Sequence, residues 1–227
     1  MTSSEFKCLA VEAASDEMSV AACCGEERSE RRDTSTGGRA RPIFRLIEAV
    51  LLDLQLDPAE LHCVAFGCGP GSFTGLRVAA AAAQSIAFGA DLPVCRISSL
   101  AALARGAVRL HGCSQAFACM DARRSQAYAG VYQAELDGRL RVILPDQLVC
   151  PDTFRLETRE PFFAAGPGWS AYPELAARHR DLLMGADRQL LPCAADLLPL
   201  AADRYQLGDL VSPEHALPNY LRERVTS

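Results

Sequence analysis

The residues that could carry chemistry are few, and their spacing narrows the choice. Gly67–Arg77 reads Gly-Cys-Gly-Pro-Gly-Ser-Phe-Thr-Gly-Leu-Arg. Its glycines permit positive φ and close backbone approach, and Ser72 or Thr74 can cap a following helix. The free N–H groups of such a helix start attract anions, so Gly71, Ser72 and Thr74 are candidate anion contacts. A tight strand-to-helix connection with no ligand accounts for the same residues. A Walker phosphate loop is excluded, because Lys7 is the only lysine. Ser72 and Thr74 fall where G-x-G-x-x-G needs its third glycine, and Ser72 directly follows Gly71, which a G-x-S-x-G elbow does not allow. Gly166-Pro167-Gly168-Trp169-Ser170-Ala171 fits the loose G-x-G-x-x-A form without a dinucleotide context.

No other group assembles a reaction centre. His62, His111, His179 and His215 include no i, i+4 pair, so no helical metal pair exists, and they read as solvent or boundary residues. Glu12 and Asp121 stand at strand ends, where a cleft could use them as a general base or magnesium ligand; structural turn roles compete with that reading. Arg77 and Arg123 suit carboxylate pairing or anion contact. Phe73 suits either the core or a partner surface. The 10 cysteines form no C-x-x-C and sit mostly in apolar segments, as small core residues of a reducing compartment do. The sequence therefore predicts no catalytic set, no metal set and no cofactor of the chain's own. The net charge of -5 tells against a direct grip on a long stretch of RNA, though a local arginine patch is compatible with it.

These residues need elements to position them. Phe6–Ala13 and Met18–Cys24 read as strands, with an edge strand and loop over Glu26–Gly38. Ile43, Leu46, Ile47, Val50, Leu51 and Leu54 have helical spacing, and Pro42 suits the first turn. His62–Cys68 reads as a buried strand, then the glycine turn, then a helix over Thr74–Phe88 stopping at Gly89. Pro93–Ile97 is a strand, and Ser98 caps a helix to about Leu110. The second half repeats the order: strands at Gln115–Met120, Ser125–Leu136 and Arg139–Leu144, with a hairpin at Asp137-Gly138. A short helix near Asp152–Glu157, a strand at Phe162–Ala165 and helices at Ser170–Arg180 and Ala194–Gln206 follow. Both halves thus place an apolar strand before a G-x-G turn, Gly67-Cys68-Gly69 and Gly166-Pro167-Gly168. The pattern predicts two related α/β lobes facing each other across a cleft, over residues 1–110 and 111–227. Val78–Ala83 is almost all small residues, so another helix can come close. No apolar run of membrane-spanning length and no secretory leader pattern appear, which predicts a cytoplasmic protein without membrane contact.

Several segments together resemble the TsaB family. The most specific is Gly-Pro-Gly-Ser-Phe-Thr-Gly-Leu-Arg within Gly67–Arg77. Leu9-Ala10-Val11-Glu12 with Ser19-Val20-Ala21, Met120-Asp121-Ala122-Arg123 with Tyr128, Gly166-Pro167-Gly168-Trp169, and Glu214-His215-Ala216 with Tyr220-Leu221-Arg222 complete the pattern over nearly the whole chain. The resemblance implies two duplicated actin-like lobes of ribonuclease H-like (ASKHA) type, with mixed sheets and flanking helices. It also implies a non-catalytic subunit that binds TsaD, and through the complex TsaE, in threonylcarbamoyl transfer to the adenosine beside the tRNA anticodon. ATP and a metal ion would reside in partner subunits, tRNA would be met only indirectly, and a homodimer is open when the partner is absent. The docking surface implied lies on the helix starting near Pro42 and the helix after Gly75, with Ile43, Leu46, Ile47, Phe73, Arg77, Val78, Ala81 and Ala82 as candidates. Two departures stand out. Glu12-Ala13-Ala14-Ser15 replaces the family's Asp-Thr turn, and Gly37-Gly38-Arg39-Ala40-Arg41 lacks the histidine many relatives carry there. An ATP-dependent small-molecule kinase of the same fold class is the alternative; a peptidase ranks last for want of a nucleophile–base or metal pair.

Overall fold

The computed structural model describes residues 6–34 and 40–222, with the side chains of 40–42 left aside. The stretch around Gly37–Arg39, with its missing histidine, lies outside the described residues. The chain forms two compact units: Met1–Ala102 with Pro192–Asn219, and Leu103–Leu191 with Tyr220–Ser227.

The first unit is built on a five-stranded sheet ordered β3-β2-β1-β4-β5. Its strands are β1 (Lys7–Glu12), β2 (Met18–Cys24), β3 (Glu27–Asp33), β4 (Cys63–Gly69) and β5 (Val94–Ser98). β1, β2 and β3 pair antiparallel, while β4 joins β1 and β5 joins β4 in parallel. β1 and β4 are buried along almost their whole length, which is why they read as continuous apolar runs rather than as alternation. On one face Leu9, Val11, Val20, Val64 and Phe66 form a core with Ile43, Ile47, Val50 and Leu51 of α1 (Ala40–Asp53) and Ala79, Ala80 and Ala83 of α2 (Phe73–Gly89). Each of the larger side chains among these, Val, Leu, Ile or Phe, contributes roughly 1.5–3 kcal/mol by leaving water.

The alternate positions of the central strands are small: Cys8, Ala10, Ala21, Cys63, Ala65 and Cys95, all 0% exposed. That is the physical reason for three of the 10 cysteines. Small side chains let α6 (Ala194–Leu207) lie close to the sheet, packed on β1, β2, β4 and β5. Cys95 Sγ reaches the Ala201 carbonyl at 3.8 Å. The N-terminus of α6 is capped from the sheet, with Ala194 N–H donating to Ser19 Oγ at 2.8 Å and Ala195 N–H to Glu30 Oε1 at 3.3 Å. Beyond Gly208, at φ +70°, Val211 bridges Val94 and Asn219 N–H donates to the Cys68 carbonyl. These bonds return Pro192–Asn219 to the first unit, where the sequence reading placed it in the second half. The other boundary falls at Ala102, inside α3 (Ser99–His111), rather than at residue 110.

The second unit repeats the sheet as β8-β7-β6-β9-β10. The strands are β6 (Gln115–Asp121), β7 (Ala127–Ala134), β8 (Leu140–Val149), β9 (Phe162–Ala165) and β10 (Leu183–Asp187). Again the first three pair antiparallel and the last two add in parallel. Phe117, Phe162 and Trp169 form the aromatic centre of the core, and Trp169 Nε1–H donates to the Phe117 carbonyl at 3.0 Å. Three details differ from the sequence reading. The helix expected near Asp152–Glu157 is absent: residues 151–153 form a turn and 154–159 have no regular structure. Ser170–Arg180 is not one helix but α4 (Gly168–Ala171) and α5 (Pro173–Arg178), because Pro173 cannot continue α4 and starts α5 instead. Strand β10 was not anticipated; its mixed sequence Leu-Met-Gly-Ala-Asp carries little β pattern.

Candidate functional site

The glycine turn brings three pieces of the first unit to one point. Gly69 closes β4 at φ +107°, and Ser72 caps α2 by accepting the Gly75 N–H at 3.4 Å. The turn after β1 lies directly on this connection. A Cβ at Gly75 would stand 1.8 Å from the Ala13 carbonyl oxygen, and one at Gly71 2.4 Å from that of Ala14. The Ser72 N–H donates to the Ala14 carbonyl at 2.7 Å. At Gly71 and Ser72, candidate anion contacts that a ligand-free connection explains equally, the chain's own turn lies against the backbone. Thr74 is exposed and lies on the groove described below.

Glu12 anchors the same turn. It is 0% exposed, Oε1 accepts the Ala14 N–H at 2.7 Å, and Oε2 accepts the Ser99 hydroxyl at 2.9 Å. A Cβ at Gly67 would stand 2.0 Å from this carboxylate. Burial pushes the Glu12 pKa up to about 7, against the opposing bonds from Ala14 and Ser99. With both oxygens bonded inside the fold, Glu12 is not placed as a general base or magnesium ligand.

On the outer side of the glycine turn, α1 and α2 border a groove of about 470 Å³. Phe44 of α1 and Phe73 of α2 stand at its edge, 50% and 55% exposed, and Arg77 stacks its guanidinium 3.9 Å from the Phe73 ring centre. Val78, Ala81 and Ala82 of α2 and the buried Ile43 of α1 line it as well. Among the candidate interface residues, Ile43, Phe73, Arg77, Val78, Ala81 and Ala82 line this groove. Ile47 belongs to the core and Leu46 packs against it, so neither lines the groove. Phe44, Thr74 and Ser85 also line the groove and were not among the interface candidates. The signal for Phe44 was present: it is an aromatic off the inward stripe of Ile43, Ile47 and Val50, a position where water would favour a polar residue.

The other candidates serve structure. Asp121 Oδ1 accepts the Arg123 N–H at 2.7 Å and the Tyr172 hydroxyl at 2.6 Å, while Arg123 pairs with Oδ2 at 3.3 Å. Burial, then the bond to Asp121, pushes the Tyr172 pKa up to about 12. His179 corrects the boundary reading of the histidines: it is 5% exposed, accepts the Leu156 N–H at Nε2 and meets the Leu175 carbonyl at Nδ1. His62, His111 and His215 lie at the boundary or surface. Among the described residues no cluster of His, Cys, Asp or Glu could hold a metal ion, and no helix is long and apolar enough to cross a membrane.

Comparison with known proteins adds to this geometry. A family model described as "TsaD: tRNA N6-adenosine threonylcarbamoyltransferase" matches residues 40–156. The tRNA threonylcarbamoyladenosine biosynthesis protein TsaB of Escherichia coli is 30% identical over 225 residues, spanning 97% of this chain and 96% of that protein. The protein of the same name from Haemophilus influenzae is 33% identical over 226 residues, spanning 96% and 94%. The solved structure of YeaZ from Pseudomonas aeruginosa superposes with a TM-score of 0.85 at 29% identity, over 95% of this chain and 100% of that one.

Proposed function

The chain belongs to the TsaB family, and from that premise we propose that it is the non-catalytic subunit that docks a TsaD-type transferase in tRNA threonylcarbamoyladenosine biosynthesis. One observation carries the docking part: the groove between α1 and α2, with exposed Phe44 and Phe73 and a stripe of small residues. Small side chains let a helix approach closely, and exposed aromatics supply the buried anchors that dominate interface energy. The occupant is therefore an apolar helical face of the TsaD-type subunit.

The same reading assigns the transfer chemistry to the partner. The strand-end position that a nucleotide phosphate would need is filled here by Ala13 and Ala14. ATP and a metal ion then belong to partner subunits, a TsaE-type ATPase joins through the complex, and tRNA is contacted indirectly. In the partner's absence the groove can pair with a second copy of this chain. The TsaB relatives favour this reading over a small-molecule kinase.

The test is to mix the purified protein with its cognate TsaD-type subunit and follow co-elution, together with reconstituted tRNA modification. A stable complex and modification that depends on this protein are expected. No complex, together with full modification in its absence, overturns the proposal.

A further inference from the structure

We propose that Glu12 is a positioning residue for the docking face: a buried carboxylate that holds the β1–β2 turn in the glycine turn and so sets where α2 begins. The inference rests on the docking reading above. The links are short and continuous. Glu12 Oε1 holds the Ala14 N–H at 2.7 Å, the Ala14 carbonyl holds the Ser72 N–H at 2.7 Å, and Ser72 Oγ holds the Gly75 N–H. Phe73, Thr74 and Arg77, which line the groove, are the residues that follow. Gly67, Gly71 and Gly75 each leave no room for a Cβ on this path, so the three chain segments close on one another without slack. Oε2 adds a tie to Ser99, the first residue of α3.

This position does what a bound ligand does elsewhere: it supplies acceptors to groups that would otherwise be left unpaired in the interior. An internal carboxylate supplies them permanently, so the start of α2 is preformed before any partner arrives, and a preformed surface binds with less ordering cost. The contiguous hydrogen bonds are the physical route by which a side chain that does not line the groove acts on it.

The experiment uses the full-length protein titrated with its TsaD-type subunit, alongside amide hydrogen exchange. Glu12→Ala raises Kd at least tenfold and strips protection from the Ser72 and Gly75 amides. Glu12→Gln can accept from Ala14 and donate to Ser99, and it stays within threefold of the parent. Leu197→Ala, in the buried face of α6, supplies a comparable loss of stability with Kd within threefold and both amides still protected. If Glu12→Ala does not fold, Glu12→Asp, one methylene shorter, carries the same expectation. Parental Kd in the folded Glu12 variant, or a loss matched by Leu197→Ala, overturns the proposal. A separate arm, Phe73→Arg, tests the groove: if it leaves Kd unchanged, the docking reading falls. The exchange of Ser72 and Gly75 then still decides whether Glu12 holds the turn.

Discussion

Each unit contains the same connection, and the two put it to opposite uses. Gly69-Pro70-Gly71 runs out of the end of β4 and Gly166-Pro167-Gly168 follows β9, with the first glycine at φ +107° and +102°. In both, the last glycine lies against the opening strand of its unit or the turn after it: Gly71 against Ala14 of the turn after β1, Gly168 against Cys119 of β6. The first connection launches a helix of 17 residues whose opening residue, Phe73, points outward. The second launches a helix of 4 residues and turns Trp169 fully inward. A duplicated turn is thus a neutral launching device. The residue next to it and the proline that ends or spares the helix decide whether the unit gains an outer surface or a denser core.

The strongest way to break this contrast is Trp169→Ala. Loss of that side chain, with its bond to the Phe117 carbonyl, costs about 3–5 kcal/mol in urea unfolding. A loss below about 1 kcal/mol would erase the distinction. Next comes pH. Glu12 has a folded pKa of about 7 against an ordinary 4.5, so the folded chain holds the proton in that window. Its contribution is fully present below about 4.5 and is lost as pH rises through about 7. The loss is about 3 kcal/mol, and Glu12→Gln flattens it. Unfolding midpoints measured across that window give the sign directly. Gly75→Ala, whose Cβ would meet a backbone oxygen, costs about 2 kcal/mol by overpacking and weakens docking as well. The smallest change in stability belongs to Phe73→Ala, under about 0.5 kcal/mol. Partner affinity, read by calorimetry, falls about tenfold in that variant as an interface anchor is removed.

Much of this was legible in the sequence, for identifiable reasons. Strands β1, β4 and β6 are buried on both sides, so their apolar runs announced them. The stripe Ile43, Ile47 and Val50 announced α1, and Ser98 did cap its helix by accepting the Ala101 N–H at 3.0 Å. The duplication was legible too, though its register was not. Gly67-Cys68-Gly69 was set against Gly166-Pro167-Gly168, whereas the backbone matches Gly69-Pro70-Gly71 to it. What stayed hidden depended on long-range contact. That Gly71 and Gly75 make room for Ala14 and Ala13, rather than for an anion, requires knowing that residues some sixty apart in sequence meet. The ownership of α6 is of the same kind. Its own pattern of Leu197, Leu198, Leu200 and Ala201 says helix, but its bonds with Ser19, Glu30 and Cys95 say whose.

That ownership has a consequence for the order of assembly during synthesis. The first strands leave the ribosome early, yet the small-residue face of Cys8, Ala10, Cys63, Ala65 and Cys95 has no cover until α6 has been translated. All the strands of the second unit are made before that point. During synthesis all five strands of the second unit can therefore pair while one face of the opening sheet still waits for residues 194–207.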